Sequence, residues 1–481
     1  MKRFLTVLII SSAALLSSCK KITPDPIVPD TPDLPSDTTE TPGPDWPEGQ
    51  TGTSYVWDED HIPVFHITIA EKQWNKLLNA YDINPDVSEY VQCNVIFDKG
   101  GVRDTITNVG IRLFDNGDAM RPEGNQGEEH SDDPRWKFSN YQLNFLKYVN
   151  KEEHSLRKVG SVFLKSCVND PSYARERYCY DLFRRFGIKT VSRNIFCRLN
   201  IHVEGDAKPA YFGIYQMIEP INQEFIDERE PIFKNRSGYL WRCRDGASLT
   251  SVPASCGTDN GNGENFTYML MNNKSGLAEA QKQLYEFTSN IKSLHPDKFI
   301  RWFETVCDIK LLLRTYAVSV TTGMWDDYWN RGNNFYLYFN NTSPDSYKVF
   351  MIPHDFEMSL GNSNYKVMAD PGKQSPYSWG KNGNPLISRI LQSEEYMEMY
   401  RSFLLELTLP EAYLFDYRIS KEIISDLMYQ ASFYVKNDTG YNIGTKDMTA
   451  GWSNHPEYRI REDNDLNFFK VRAETIRYYS E

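Results

Sequence analysis

The sequence predicts an α+β domain with a strand-rich N-terminal half and a helix-rich C-terminal half, arranged as two lobes with a cleft between them. Three observations indicate this fold class. Runs of alternating apolar and polar residues, rich in β-branched and aromatic side chains, dominate the chain before residue 219, as expected for strands. Helical spacing of apolar residues dominates after Glu264. One hairpin interrupts the predicted helices, and the sequence contains no internal repeat.

The first half is predicted to contain a series of strands and two helices. A turn at Lys99–Gly101 joins the second strand to the third, and a short helix carries Trp74, Leu77 and Leu78 at helical spacing. Pro171–Phe186 is predicted to be a longer amphipathic helix. The predicted strands are Ile62–Ile69, Tyr90–Phe97, Asn108–Phe114, Tyr141–Phe145, Ile195–Val203 and Tyr211–Ile218.

The long helix of the first half has recognisable end signals. Asp170 is the predicted N-cap, Pro171 occupies the first turn, and Gly187 ends the helix, in agreement with the usual preferences at these positions. In the second half, the predicted helices are Ala278–Leu294, Pro296–Val306, Asp308–Thr322 and those of the stretch from Pro385 onward, and the predicted hairpin strands are Asn334–Phe339 and Tyr347–Ile352.

The N-terminus is typical of an exported lipoprotein. Residues 1–18 combine a basic start, a short apolar run and small residues before Cys19, which is the pattern of a secretory signal followed by a lipidated cysteine. The alternative is an ordinary signal peptide with an incidental cysteine. Residues 19–52 are rich in Pro, Asp and Thr and predict an extended tether. We therefore expect one domain over 53–481, held to the membrane through the lipid anchor only, in the cell envelope at the outer membrane or cell surface.

Charge and motif content exclude several function classes. The formal net charge is −12, which disfavours nucleic acid as a partner because a phosphate backbone repels such a surface. The sequence contains no P-loop, no GxSxG, no HExxH and no GxGxxG after a strand, and so lacks the usual nucleotide-cradle, hydrolase and zinc-protease motifs. No CxxC is present either. Cys243 and Cys256 flank a Gly- and Asn-rich loop and form our best candidate for a disulfide.

Acidic and amide side chains cluster around the predicted hairpin of the second half. Asp326 and Asp327 precede Asn333 and Asn334, which open one strand, and Asp355 follows the other strand. Because a hairpin brings its open ends together, we expect these residues to lie close to one another. Carboxylate and amide oxygens are ligands that Mg²⁺ prefers, and a further aspartate can accept a proton from a hydroxyl. The alternative is that these residues only cap helices and turns.

A second group of candidates lies in the first half. Glu219 ends an otherwise apolar strand, so it either caps the next turn or belongs to a site. Lys137 and Arg112 lie on or near predicted strands and can supply positive charge to a phosphate. Either could equally be a solvated strand residue.

Four segments together resemble the spore-coat-protein-H (CotH) family of atypical kinases. Tyr211–Asn222 is similar to the family's strand that ends in Glu, and Asp327–Tyr338 to its Asp…Asn-aromatic-Tyr-Leu-Tyr segment. Ile352–Gly361 resembles its Pro-Trp-Asp-aromatic-Asp…Gly segment, and Asn169–Arg175 its Asp-x-Ser…Arg helix start. The resemblance extends over Ile62–Tyr479.

The resemblance implies a divergent protein-kinase-like fold that binds ATP with Mg²⁺ or Mn²⁺ and phosphorylates Ser or Thr of exported protein substrates. It makes Asp327 the catalytic-loop aspartate, with Asp326 as the competing assignment. Asn334 or Asn333 would be a metal ligand, and Asp355 would be the metal-binding aspartate that begins the DFG segment of a kinase.

The resemblance also assigns a role to Glu219, which would face the nucleotide and either pair with a lysine or help to hold metal. The sequence departs from the family pattern in several places. His354 stands where the family favours Trp, Glu357 where it favours Asp, and the Arg-Gly pair expected near Phe114–Gly117 is missing. The basic pair expected before Tyr141 is reduced to Lys137.

The competing function is that of a surface-anchored binding or adhesion protein that keeps the scaffold without catalysis, since a fold does not fix a function. The outside of a cell offers little ATP. Aromatic side chains suit contacts with carbohydrate or protein, although their burial in a core is the commoner case. The tryptophans considered for such contacts are Trp241, Trp302, Trp325, Trp329, Trp379 and Trp452. A metal-dependent hydrolase is disfavoured because no group of histidines accompanies the acidic cluster.

Overall fold

The computed structural model describes residues 52–85, 89–114, 121–123, 138–250, 255–259, 266–342, 346–364, 370–380, 384–436 and 441–480. The predicted signal peptide, Cys19, nearly all of the predicted tether, and Lys137 lie outside the described residues. Within them the mixed α+β class is confirmed.

Seven strands of the first half form a closed barrel in the order β1-β2-β3-β4-β5-β7-β6, which β6 closes by pairing in parallel with β1. Closure leaves the sheet without an exposed edge, and its interior holds one of the two large hydrophobic cores. The six predicted strands are confirmed. The strands are β1 Val64–Ile69, β2 Val91–Lys99, β3 Val102–Leu113, β4 Tyr141–Asn144, β5 Ser161–Lys165, β6 Asn194–Val203 and β7 Ala210–Ile218.

A second sheet has five strands in the order β12-β11-β8-β10-β9. Its hairpin, β11 with β12, is the one predicted from the sequence. The other three strands were not predicted, and two of them are only three residues long. The strands are β8 Tyr239–Cys243, β9 Cys256–Thr258, β10 Tyr268–Leu270, β11 Phe335–Phe339 and β12 Val349–Pro353.

Helices surround the second sheet and form the other large core with it. The predicted helices of the second half are confirmed, and α8 packs against α11, which in turn packs against α13. None of the described helices is both long and apolar enough to span a bilayer. The helices are α1 Thr53–Trp57, α2 Glu71–Ile83, α3 Arg175–Arg185, α4 Gln223–Glu228, α5 Glu230–Phe233, α6 Leu277–Ser293, α7 Pro296–Val306, α8 Ile309–Thr321, α9 Tyr328–Arg331, α10 Leu386–Ile390, α11 Glu394–Thr408, α12 Tyr417–Ser432 and α13 Phe468–Ser480.

Helix α3 begins four residues later than predicted. Tyr173 has a φ of 60°, in the left-handed region, which a continuous right-handed helix cannot accommodate. Asp170 lies four residues before the N-cap Ala174, and its carboxylate accepts hydrogen bonds from the backbone N–H groups of Ser172 and Arg175 at 3.0 and 2.9 Å. The start predicted at Pro171 and the N-cap predicted at Asp170 were therefore both wrong, since the N-cap of α3 is Ala174.

The predicted disulfide between Cys243 and Cys256 is wrong, since both cysteines are free. Both pair in register with Tyr268, Cys243 from β8 on one side and Cys256 from β9 on the other. Two strand spacings of about 4.8 Å each separate them, which is more than the roughly 7 Å between Cα atoms that a disulfide can bridge.

Most of the tryptophans considered for a contact surface are instead buried, which is the commoner of the two cases that the sequence left open. Trp241, Trp325, Trp329 and Trp379 are among the largest fully buried side chains. Trp325 stacks on Trp379 with ring centroids 4.3 Å apart. These four aromatic rings therefore stabilise the core.

Candidate active site

A polar cavity of about 370 Å³ lies where the end of β5, the end of β8 and the open end of the β11–β12 hairpin meet. Its volume is within the range of small-molecule sites. Both signs of charge line it, with basic groups from Lys165, Arg242 and Arg244 and acidic groups from Asp245, Asp326, Asp355 and Glu357, together with the amides of Asn333 and Asn334.

The hairpin brings its two open ends together, as the sequence predicted. Phe335 pairs with Pro353 in register, and the backbone N–H of His354 donates to the carbonyl oxygen of Asn334 at 3.0 Å. Asn334 and Asp355 have φ values of 55° and 57°. Asn and Asp tolerate this left-handed region better than other side chains. Both residues line the cavity, so the predicted proximity of Asn334 and Asp355 is confirmed.

Asp326 is the loop aspartate that faces the cavity. Its Oδ2 accepts hydrogen bonds from Nδ2 of Asn333 at 3.1 Å and of Asn334 at 3.0 Å, and its Oδ1 lies 3.1 Å from Nη1 of Arg331. Burial raises its pKa to about 6, although Arg331 and Asn333 act in the opposite direction. The carboxyl therefore changes charge near neutral pH, where proton transfer by a side chain is most effective.

Asp327 does not line the cavity. It is the N-cap of the short helix α9, where its Oδ1 accepts from the backbone N–H of Asn330 at 3.0 Å, and it is only 5% exposed. Its Oδ2 has no hydrogen-bond partner among the described residues, and burial raises its pKa to about 7. The geometry thus separates the two competing aspartates: Asp326 faces the cavity and Asp327 stabilises the loop that carries it.

Lys165 is the central residue that the sequence reasoning missed. It ends β5, and its Nζ lies 2.5 Å from Asp355 Oδ1, 2.9 Å from Glu176 Oε2 and 3.3 Å from Glu357 Oε2. Burial acts to lower the pKa of Lys165, but the three carboxylates outweigh it and hold this pKa well above its usual value. The ammonium group therefore stays charged. One signal could have identified it: an apolar run ends in a lysine eleven residues before a glutamate on an amphipathic helix.

Glu176 connects helix α3 to the segment after β12. Its Oε2 accepts from Lys165, and its Oε1 accepts from the backbone N–H of Phe356 at 3.1 Å. Tyr180, one turn further along α3, accepts from the backbone N–H of Asp355 at 3.3 Å. Helix α3 therefore fixes the backbone of Asp355 and Phe356, and with it the position of the Asp355 carboxylate.

Glu219 and Arg112 are not among the residues that line the cavity. Both carboxylate oxygens of Glu219 lie 2.7 Å from arginine nitrogens, one from Arg193 and the other from Arg229. Its partners are thus arginines, whereas a lysine or a metal was expected. Arg112 donates to Gln142 at 2.8 Å, close to where β3 pairs with β4.

Two other arginines line the cavity, and they can supply the positive charge that the sequence suggested for Arg112 and Lys137. Arg242 is the fourth residue of β8, and Arg244 follows the end of that strand. Their strand was not predicted, because a five-residue strand with three buried positions carries a weak periodic signal.

Comparison with known proteins supports the family suggested by the sequence motifs. A sequence profile of the CotH kinase protein family matches residues 130–460, which include every cavity residue named above. The chain is also 23% identical over 383 residues to Spore coat protein homolog 1 of Rhizopus delemar, covering 78% of this chain and 54% of that protein. It thus spans about half the length of that curated relative. On the profile match, which covers well over half of the sequence, the chain belongs to the CotH kinase protein family.

Proposed function

We propose that this protein is a phosphotransferase that uses ATP and Mg²⁺, or Mn²⁺ in its place, to phosphorylate Ser or Thr of protein substrates. The observation that carries the proposal is the Lys165–Glu176–Asp355 network at a cavity that Asp326 also lines. Phosphoryl transfer needs a cation at the phosphates, an acidic ligand for the metal and a residue to orient the attacking hydroxyl. These residue types converge here from β5, α3, the hairpin and the loop before α9.

The proposal extends to a kinase-like, two-lobed arrangement. On this interpretation β5 and α3 provide the paired lysine and glutamate, and the segment after β12 provides the metal-binding aspartate. The separation of the hydrophobic residues into a barrel core and a helical core supports this view.

The donor atoms at the cavity fit a hard divalent cation. Asp355 and Glu357 contribute carboxylates, and the amide nitrogens of Asn333 and Asn334 are used in hydrogen bonds to Asp326. Their amide oxygens are therefore the atoms left for a metal, and oxygen ligands of this kind suit Mg²⁺. When bound, the ion would neutralise charge on the transferred phosphoryl group.

Residues of the protein would bind the phosphates, accept the proton and position the loop. Lys165, Arg242 and Arg244 would bind phosphate oxygens. Asp326 would accept the proton of the attacking hydroxyl, for which its raised pKa suits it. Asp327 would keep the catalytic loop in place by capping α9.

We further propose that the protein is exported and anchored to the cell envelope through a lipid on Cys19, with exported proteins as substrates. The support is the sequence of residues 1–52 alone. Metabolic labelling with palmitate tests the anchor: the wild-type chain should take up label and partition into detergent, and Cys19→Ala should do neither. Equal labelling of both proteins would refute the anchor at Cys19.

Transfer of radiolabelled γ-phosphate to a protein acceptor tests the proposed reaction. The wild-type chain with Mg²⁺ should transfer label. Asp355→Ala should transfer it at a rate at least about 100-fold lower, because a metal ligand is removed. Asp297→Ala, at an exposed aspartate outside the cavity, is the matched control. Equal rates in all three proteins would end the proposal.

The second candidate is a catalytically inactive surface protein that binds protein or carbohydrate. The observation in its favour is Glu357, which adds a third carboxylate next to Lys165, the group that would otherwise contact phosphate. The burial of four tryptophans weakens this candidate, because buried rings cannot contact carbohydrate or protein. Absence of any ATP binding in the presence of Mg²⁺ would favour this candidate.

A further inference from the structure

A second group of candidate metal ligands lies away from the cavity. One donor atom each from Asp370, His455 and Glu457 lies within 4.8 Å of the other two. None of the three lines the candidate active site. We propose that these residues form a site for a divalent transition metal of the Zn²⁺ type. The ion would link the chain that follows the cavity residues Asp355 and Glu357 to the loop before α13.

The donor set determines the class of ion. Zn²⁺ sites with three protein ligands drawn from imidazole and carboxylate groups are known, and water completes their tetrahedral shell. Imidazole suits Zn²⁺ and its neighbours, whereas Mg²⁺ and Ca²⁺ prefer oxygen-only ligands. Two carboxylates also balance the charge of a divalent ion.

The three ligands are already close to the geometry that a bound ion requires. Nδ1 of His455 lies 3.1 Å from Oε1 of Glu457, a separation typical of two atoms that share one ion with bonds of about 2.0–2.2 Å. The side chain of His455 is 19% exposed and that of Asp370 23% exposed. Both are thus partly shielded, yet an ion could reach them from solvent.

The carboxylate of Asp370 is oriented by neighbouring groups. Its Oδ1 accepts hydrogen bonds from the hydroxyl of Tyr458 and, at 2.8 Å, from the backbone N–H of Gly372. Such contacts fix the direction of a ligand in metal sites. Oδ2 lies 3.5 Å from Nζ of Lys373, whose side chain is 68% exposed and can therefore move away when an ion binds.

The site would join two parts of the chain that already touch. The backbone N–H of Asn454 donates to the carbonyl oxygen of Ser363 at 2.7 Å, and that of Ala450 to Asn362 Oδ1 at 2.9 Å. Asn362 also donates to the carbonyl oxygen of Glu357 at 3.1 Å. An ion held by Asp370 and His455 would thus strengthen a set of contacts that reaches the cavity residue Glu357 through Asn362. The proposal stands independently of any phosphotransferase activity.

Zinc binding to the purified, tag-free full-length chain tests the site, by competition with a chromophoric chelator after all metal has been removed. We expect one equivalent of Zn²⁺ to bind with a dissociation constant in the micromolar range or below, and a rise in Tm when zinc is added. Mg²⁺ at the same concentration should produce neither effect. His455→Ala should weaken zinc binding at least about tenfold.

Two further variants keep the result unambiguous. Asp370→Asn keeps an oxygen acceptor for Gly372 and Tyr458 and so should fold, but it should also weaken zinc at least about tenfold. His295→Ala is the matched control, because His295 lies 3.2 Å from Asp297 in an exposed pair outside the proposed ligand set. The affinity of this variant for zinc should equal that of the wild type. The proposal would be overturned if the wild type binds no zinc when one equivalent is added. It would also be overturned if the wild type, His455→Ala and Asp370→Asn bind zinc with the same affinity.

Discussion

Nζ of Lys165 lies 2.5 Å from Oδ1 of Asp355, although 190 residues separate them in the sequence. Lys165 ends a barrel strand, and Asp355 follows the second strand of the hairpin. Glu176 of α3 binds the same ammonium group and the backbone next to Asp355. The pair thus joins the two halves of the chain at the cavity. The proposed phosphate binding by Lys165 and metal binding by Asp355 both depend on it.

Replacing Lys165 with Met should impair both activity and stability. The carboxylates of Glu176 and Asp355 would lose their buried partner, which should cost about 3 kcal/mol of unfolding free energy. Phosphate transfer should fall at least about 100-fold. Urea unfolding and transfer of labelled phosphate measure the two effects.

Lys76→Met is the control for this variant, because the Lys76–Glu89 ion pair is about half exposed. It should change the unfolding free energy by less than about 1 kcal/mol. Similar stability losses in both variants would contradict the role assigned to Lys165.

The two adjacent aspartates should behave differently in catalysis. Asp326→Asn keeps an acceptor for Asn333 and Asn334 but cannot take a proton, so we expect kcat to fall at least about 100-fold. In the wild type, kcat should rise with pH through about 6, since the carboxyl of Asp326 is protonated below its raised pKa. Asp327→Asn should keep most of the activity, because Asn is as good an N-cap as Asp. The reverse ranking of the two variants, measured as kcat against pH, would show that the geometric assignment is wrong.

Asp327 should also influence the pH dependence of stability. Burial raises its folded pKa from 3.8 to about 7. Its contribution to stability is therefore fully present below the unfolded pKa near 4 and is lost as pH rises through about 7. Asp327→Asn should remove this dependence and stabilise the protein at pH 8 by on the order of a few kcal/mol. Unfolding free energies of the wild type and of Asp327→Asn, each at pH 5 and pH 8, measure this effect. The same difference between the two pH values in both proteins would argue against a buried, protonated Asp327.

Glu219 should be structural. Burial alone would raise its pKa, but Arg229 and Arg193 outweigh burial and bring the pKa below its usual value of 4.5. Its stabilising contribution is present above that value and lost as pH falls through the lowered pKa. Glu219→Gln should cost about 3 kcal/mol near neutral pH and leave the KM for ATP unchanged. A raised KM for ATP together with unchanged stability would show that Glu219 belongs to the nucleotide site.

Local patterns predicted most of the strands and the longer helices, but not the order of the strands in the two sheets. Paired strands such as β2 and β3 and the helix α7 have clear periodicity, and a turn or cap marks their ends. Strand β5 was missed because all five of its residues are buried, so its sequence shows no alternation. A left-handed backbone at Tyr173 displaced the start of α3, and no residue type in that segment signals it.

The candidate site could be predicted only where local geometry determines it. The hairpin places Asn334 near Asp355 in any arrangement of the remaining chain. The choice between Asp326 and Asp327 depends on which of two neighbouring side chains the loop turns inward, and the residue types do not encode this. Lys165 reaches Asp355 because the end of β5, helix α3 and the segment after β12 meet at the cavity, which is a tertiary relationship.

Calorimetric titration of ATP into the full-length chain, with and without Mg²⁺, tests the central claim most directly. We predict one binding site per chain that requires Mg²⁺ and is weakened at least about tenfold by Asp355→Asn. Asp297→Asn should bind like the wild type. Absence of heat and of any thermal shift with Mg²⁺ and ATP would contradict the claim that this cavity binds a metal–nucleotide complex.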